Sequence, residues 1–338
     1  MEQVTIQGLG KTVGRIGFGC SPLGEHGWGR IDRAEMVQAI HAALDSGINL
    51  FDVSDVYGLG RAEETLGEAL VGKRDRAVIV SKFGVRVKQP GVTFYDTSPQ
   101  WIETALTESL RRLRTDVIDV YLMHYWDERT RIDDIFEVLE RARSAGKIKS
   151  YGFTNANPIE LLDMASNILS GPSTFSLQYN LLDRHFEGII SRAIERHRLT
   201  FLSWGSLAEG LLTGKFTEGL SLAPDDRRWR YRNFIGKRFT ENLQIIAAIN
   251  RLASAIGHST SAVALRWILE QLPGSVALVG IKSMQNVRNA LDASGWSLPE
   301  HSKQQLDSLT ATRRRDAVPG IQFVNSAGAG FSDDPGPS

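Results

Sequence analysis

Short apolar runs alternate with amphipathic segments eight times along this chain, and that alternation limits the folds open to it. The runs at 15–19, 49–52, 78–82, 117–122, 149–153, 175–178, 200–203 and 275–280 are mostly apolar, as expected of strands buried on both faces. Between them, Met36, Ala39, Ile40, Ala43 and Leu44 recur at helical spacing, as do Ile102, Ala105, Leu106, Leu110 and Leu113. Asp32 and Ser98 are placed to cap these two helices, the second with Pro99 at its first position. A strand, a helix and a further strand make a parallel crossover, so the expected class is α/β, with eight strands forming a barrel wall.

Three of the runs end in ionisable side chains. Asp52 closes the second, and one short loop later comes Tyr57; Lys82 closes the third, and His124 follows the fourth. Parallel barrels assemble their active sites at the carboxyl ends of several strands. Asp52, Tyr57, Lys82 and His124 are therefore the candidate catalytic group, with a phenol and an imidazole to donate protons and an ion pair to tune them.

The strings Asp52 to Gly58 (D-x-x-x-x-Y-G), Ser81 to Gly84 (S-K-[FT]-G) and Leu122 to His124 (L-x-H) occur in order. Together they resemble the aldo-keto reductases, nicotinamide-dependent carbonyl reductases, and the resemblance runs from Val4 to about Leu309. It implies a (β/α)8 TIM barrel with an N-terminal β-hairpin, around Gly8-Leu9-Gly10-Lys11, plugging the barrel bottom. One barrel domain is expected over 1–312, followed by a tail, 313–338, partly disordered because it lacks apolar periodicity. The implied activity is NADPH-dependent hydride transfer to or from an aldehyde or ketone, with NADH left open. Tyr57 would be general acid or base, Lys82 and Asp52 its tuning pair, and His124 the group that orients the carbonyl.

The resemblance also implies a cofactor site. Thr154, Asn155 and Gln178 would hold the nicotinamide carboxamide, and Trp204 would stack on the ring. The segment Gly205, Leu207 and Gly210 resembles a loop over the pyrophosphate, although Gly205-Ser206 stands where the family usually has Ser-Pro. Gly280, Lys282, Ser283, Asn286 and Asn289 lie after the eighth strand, where barrels commonly bind phosphate. Asn289-Ala290 replaces the family's Glu-Asn pair at the adenine. Cys20, Trp28, Tyr125, Trp126 and residues 229–234 are expected substrate-pocket walls, and the insert after strand 7 is expected near the mouth.

Lys+Arg and Asp+Glu both number 39, so charge points to a small-molecule partner and not to nucleic acid, and the resemblance implies that this partner is a carbonyl compound. No window approaches the apolar length of a membrane span, and the N-terminus lacks the regions of a signal peptide, so a cytoplasmic location is expected. The glycine pairs near Gly8, Gly17 and Gly58 never complete a dinucleotide fingerprint, and the histidine spacing suggests no metal. The number of subunits is left open. Resemblance to bacterial branches points to sugars, small aldehydes or pyridoxal, and a second reading remains: a nicotinamide-binding regulatory subunit like the potassium-channel β subunits.

Overall fold

The computed structural model describes residues 1–25, 27–89, 92–164 and 171–315. A short hairpin opens the chain, β1 (Gln3–Thr5) and β2 (Thr12–Gly14), paired antiparallel. The barrel is built by β3 (Ile16–Gly19), β4 (Leu50–Asp52), β5 (Val78–Phe83), β8 (Ile118–Met123), β9 (Ile148–Thr154), β10 (Thr174–Gln178), β11 (Thr200–Trp204) and β12 (Val276–Gly280). These eight pair in parallel and in chain order, and β12 closes on β3. Their bounds agree with the eight apolar runs of the sequence to within one residue at each end. A further antiparallel hairpin, β6 (Val85–Gln89) and β7 (Val92–Tyr95), leaves the top of β5 and was not anticipated.

Helices cover the outside. They are α1 (Arg33–Asp45), α2 (Arg61–Ala69), α3 (Pro99–Leu113), α4 (Ile132–Ser144), α5 (Pro158–Met164), α6 (Glu187–His197), α7 (Gly236–Ala255), α8 (Thr260–Gln271), α9 (Met284–Leu291) and α10 (Glu300–Leu309). Asp32 accepts the amides of Ala34 and Glu35, and Ser98 accepts that of Trp101, so both caps form as the sequence suggests. No helix among the described residues is long and apolar enough to cross a membrane.

Two-residue periodicity divides the strands' side chains between two cores. Phe18, Phe51, Ile79, Tyr121, Phe153, Phe175 and Phe201 point outward into the layer beneath the helices. Leu50, Val78, Val80, Val120, Leu122, Leu202, Val276 and Leu278 fill the barrel interior, where they meet Ile6, Leu9 and Val13 of the first hairpin. The hairpin thus seals the amino-terminal end. Gly17 has no side chain because a Cβ there would lie 2.7 Å from Leu278 Cδ2.

Of the expected tail, residues 313–315 belong to a 3-10 turn, Ala311–Arg315, whose Arg313 is buried and donates to Asn242 Oδ1 at 2.9 Å. Residues 316–338 lie outside the described residues.

Truncating the plug should cost what a buried cavity costs. Ile6→Ala is expected to lower the unfolding free energy by about 2–5 kcal/mol, read from urea midpoints at unchanged slope. An effect below about 0.5 kcal/mol would show that the hairpin does not share the barrel core.

Candidate active site

The inward positions of the strands end in charge. Leu50 and Asp52, Val78, Val80 and Lys82, and Val120, Leu122 and His124 fall on one face by the same alternation that fills the interior below. Lys82 Nζ reaches Asp52 Oδ1 at 2.7 Å, the Val53 carbonyl oxygen at 2.9 Å and Tyr57 Oη at 3.4 Å. The ammonium donates to the Val53 carbonyl and to Tyr57 Oη, and pairs with the Asp52 carboxylate by charge. Because Lys82 donates to the phenol oxygen, the hydrogen of Tyr57 is left for another acceptor. The His124 ring stands edge-on to Tyr57, with centroids 6.1 Å apart, and is flanked by a stack of Tyr125 on Tyr95 at 4.8 Å.

Burial governs the protonation states. It works against the Lys82 ammonium, but Asp52 and then Tyr57 outweigh it and hold the lysine above its ordinary pKa. Burial pushes the Asp52 carboxyl up, while Lys82 pulls it back. The same burial lifts the Tyr57 phenol above its ordinary value, with Lys82 only partly offsetting it. Lys82 favours the phenolate, as expected of a nearby cation, but burial outweighs it, so in the free protein Tyr57 is a protonated donor at neutral pH. Burial, then Lys82 and Arg227, hold the His124 imidazole far below its usual pKa, and so neutral.

These groups face a cavity of about 790 Å³. Thr154, Asn155, Trp204, Gly205, Leu207 and Gly210 stand on its wall, as do Gly280, Lys282, Asn286 and Asn289, and also Trp28 and Tyr125. Trp204 Nε1 donates to Asn155 Oδ1 at 3.1 Å. Four expected residues stand off the wall. Cys20 is fully buried with its thiol toward the Phe18 carbonyl, and Trp126 turns away to donate to the Thr130 carbonyl at 2.8 Å. Gln178 packs behind Gly205 with its amide toward Asp183, and Ser283 is spent capping α9 through the Asn286 amide. In the 229–234 segment, Arg230 and Tyr231 reach the wall, whereas Trp229 is exposed and Phe234 packs against Phe216.

The wall also holds residues the sequence reading did not single out. Val85, Val87, Thr93 and Tyr95 come from the β6–β7 hairpin, whose alternating apolar pattern about Pro90-Gly91 was the available signal. Glu209 also lines the cavity, in a loop where Ala208, Glu209 and Gly210 all have left-handed backbones, φ 47°, 55° and 95°. Such conformations in non-glycine residues are costly and concentrate at ligand clamps.

Arg227, Arg228, Lys215 and Lys282 gather on the same wall, and the first two guanidinium groups and the Lys282 ammonium lie 5.6, 5.8 and 5.7 Å from the Trp28 ring centre. Burial, then Arg228 and Lys215, lower the pKa of Lys282; burial and Arg228 do the same to Lys215. Cations held this close are relieved by a bound anion, so this arm suits phosphate groups. Among the described residues, no cluster of three or more His, Cys, Asp or Glu is disposed to hold a metal.

A closed parallel barrel thus brings Asp52, Tyr57, Lys82 and His124 together at its carboxyl end, beside an arm lined by four cations. The sequence model of the aldo/keto reductase family matches residues 15–311. Aldo-keto reductase YhdN of Bacillus subtilis (strain 168) is 32% identical over 96% of this chain and 98% of its own length. The glycerol dehydrogenase AKR11B4 from Gluconobacter oxydans superimposes with a TM-score of 0.85 at 33% identity, covering 95% of this chain and 98% of that one. An aldo-keto reductase from Klebsiella pneumoniae, solved in complex with NADPH, has a TM-score of 0.70 at 27% identity, covering 92% and 96%. The chain belongs to the aldo/keto reductase family.

Removing the ammonium should expose the cost of Asp52. Lys82→Met is expected to lower stability by about 3–5 kcal/mol near neutral pH, because a buried carboxylate is left unpaired. The folded pKa of the orphaned acid then lies well above its unfolded value of about 3.9, so the deficit is small below that pH and grows as pH rises. Urea unfolding at about pH 4 and about pH 8 checks this; an equal deficit at both would contradict it.

Proposed function

We propose that the protein is an NADPH-dependent oxidoreductase that moves a hydride between the nicotinamide and an aldehyde or ketone, with Tyr57 as general acid or base. The observation that carries this reading is the contact of the Lys82 ammonium with Tyr57 Oη at 3.4 Å while Asp52 holds it at 2.7 Å. Family membership supports it. The bound nicotinamide would supply or accept the hydride.

As negative charge develops on the carbonyl oxygen, Tyr57 donates its proton, and Lys82, already aimed at the phenol oxygen, stabilises the phenolate that results. Asp52 keeps that ammonium charged and in place. His124 gives the oxygen a second hydrogen bond and fixes the carbonyl's orientation. In the reverse direction the phenolate takes the alcohol proton. Asn155 and Trp204, bonded to each other, would hold the nicotinamide end; Arg227, Arg228, Lys215 and Lys282 would hold the phosphates.

Lys282, on the cavity wall with Arg227, Arg228 and Lys215, would meet the extra phosphate of NADPH, which favours that cofactor over NADH. For the substrate, likeness to the glycerol dehydrogenase of Gluconobacter oxydans favours a small polyol, sugar or related carbonyl, with pyridoxal-like aldehydes as further candidates.

Tyr57→Phe is expected to reduce carbonyl-dependent NADPH oxidation about 10²–10⁴-fold, while NADPH binding read by fluorescence quenching stays near that of the wild type. Full turnover in that variant would overturn the assignment. Tight cofactor binding by the wild type, with no turnover across aldoses, keto-sugars, pyridoxal and aromatic aldehydes, would instead favour a regulatory role. Lys282→Ala should weaken NADPH roughly tenfold or more and NADH far less; equal weakening would remove the argument for a phosphate contact.

A further inference from the structure

Behind His124 runs a line of hydrogen bonds that the proposed chemistry leaves unused. Ser54, fully buried in the loop after β4, has its Oγ 3.0 Å from Asp55 Oδ1 and 3.3 Å from His124 Nδ1. With Nδ1 engaged at the back, Nε2 is the nitrogen left for the cavity. The Val56 amide also donates into Ser54 Oγ, at 3.4 Å. A hydroxyl has one proton and two acceptor sites, so with Val56 on one site the line has two self-consistent polarities. In one, the Asp55 carboxyl donates to Ser54, Ser54 donates to Nδ1, and Nε2 carries the imidazole proton. In the other, Nδ1–H donates to Ser54, Ser54 donates to the Asp55 carboxylate, and Nε2 presents a lone pair.

We infer that Ser54 and Asp55 are positioning residues that set the tautomer of His124, and so decide whether Nε2 meets a carbonyl oxygen as donor or an alcohol hydroxyl as acceptor. The inference rests on the role proposed above for His124. Passing from the first polarity to the second releases one proton: the Nε2 proton leaves to solvent through the cavity, the Ser54 proton moves to Nδ1, and the Asp55 proton moves to Ser54. The first form suits carbonyl reduction and the second alcohol oxidation.

The surrounding charges place the inversion in the neutral range. Burial, then Glu63 from α2, push the Asp55 carboxyl up to about 7, against Ser54, Arg112 from α3 and the Val56 amide. Tyr121 of β8 lies close enough for the Asp55 charge to act on it, and its own pKa is raised, chiefly by burial, so it stays a neutral phenol. On the imidazole side, burial, then Lys82 from β5 and Arg227 from the loop after β11, keep His124 from taking a second proton. The change is therefore between two neutral tautomers, driven by loss of one proton from the line as pH rises.

The test is nitrogen-15 NMR of labelled histidine in the intact protein, with the His124 resonances assigned through His124→Gln. The wild type should carry its proton on Nε2 at about pH 6 and on Nδ1 at about pH 8. Asp55→Asn, whose amide cannot ionise, should hold a single tautomer throughout; Ser54→Ala should lose the pH response and Ser54→Thr restore it. In parallel, KM for carbonyl reduction should rise up to about tenfold between those pH values in the wild type and stay flat in Asp55→Asn. One tautomer at both pH values in the wild type overturns the inference, and that result needs no variant to fold. It is separable from the proposed function: normal turnover with a fixed tautomer defeats the relay alone, whereas full activity of Tyr57→Phe defeats the hydride reading while the tautomer measurement still stands.

Discussion

The closure of eight parallel strands is the constraint from which the rest of this molecule follows. A closed strand ring leaves each strand one inward face, and a period of two decides which residues occupy it. Leu50, Val78, Val80, Val120 and Leu122 fill that face where the first hairpin seals it. Asp52, Lys82 and His124 continue it at the open end, where no apolar residue is needed to complete the core. Burying a carboxylate and an ammonium there is tolerable because they face each other at 2.7 Å.

That pair divides the cavity into two electrostatic regions. Around Tyr57 one ammonium, paired with Asp52 and donating to the phenol oxygen, supports a phenol that burial keeps protonated. Along the other arm Arg227, Arg228 and Lys282 gather about Trp28 with Lys215 on the same wall, and burial, then the neighbouring cations, lower the pKa values of Lys282 and Lys215, an arrangement suited to negative charge. The proposed hydride chemistry would draw on both regions, the cations holding the phosphates and Tyr57 serving the reacting carbonyl. Ser54 and Asp55 add a third layer, behind the imidazole and out of the substrate's reach.

Much of this was legible in the chain because it depends on local pattern. Apolar runs bounded by turns located the eight strands to within a residue, and Asp32 and Ser98 announced their helices through side chains that bond amides two or three positions on. The β6–β7 hairpin was equally local in its signal, yet it interrupts the strand–helix rhythm and was absorbed into the connection to α3. The placement of Cys20 and Trp126 was not local at all. Their neighbours Gly19, Ser21 and Tyr125 stand on the cavity wall, but the thiol turns into the core and the indole folds back on Thr130. In irregular backbone the directions of successive side chains follow no fixed period, so no spacing rule covers them.

By itself the sequence determined the class of fold, the family, and which ionisable residues end the strands, because strand periodicity and short motifs are properties of neighbouring residues. Tertiary structure decided the rest. Arg227 and Lys282 reach the loop that holds Trp28 only after the ring has closed, bringing together groups some 200 residues or more apart. The direction of the Tyr57 shift was likewise undetermined until burial could be weighed against the charge of Lys82. The line from Asp55 through Ser54 to His124 joins β4's loop to the end of β8 across 70 positions, a contact that hydrogen-bond geometry can define and sequence separation cannot.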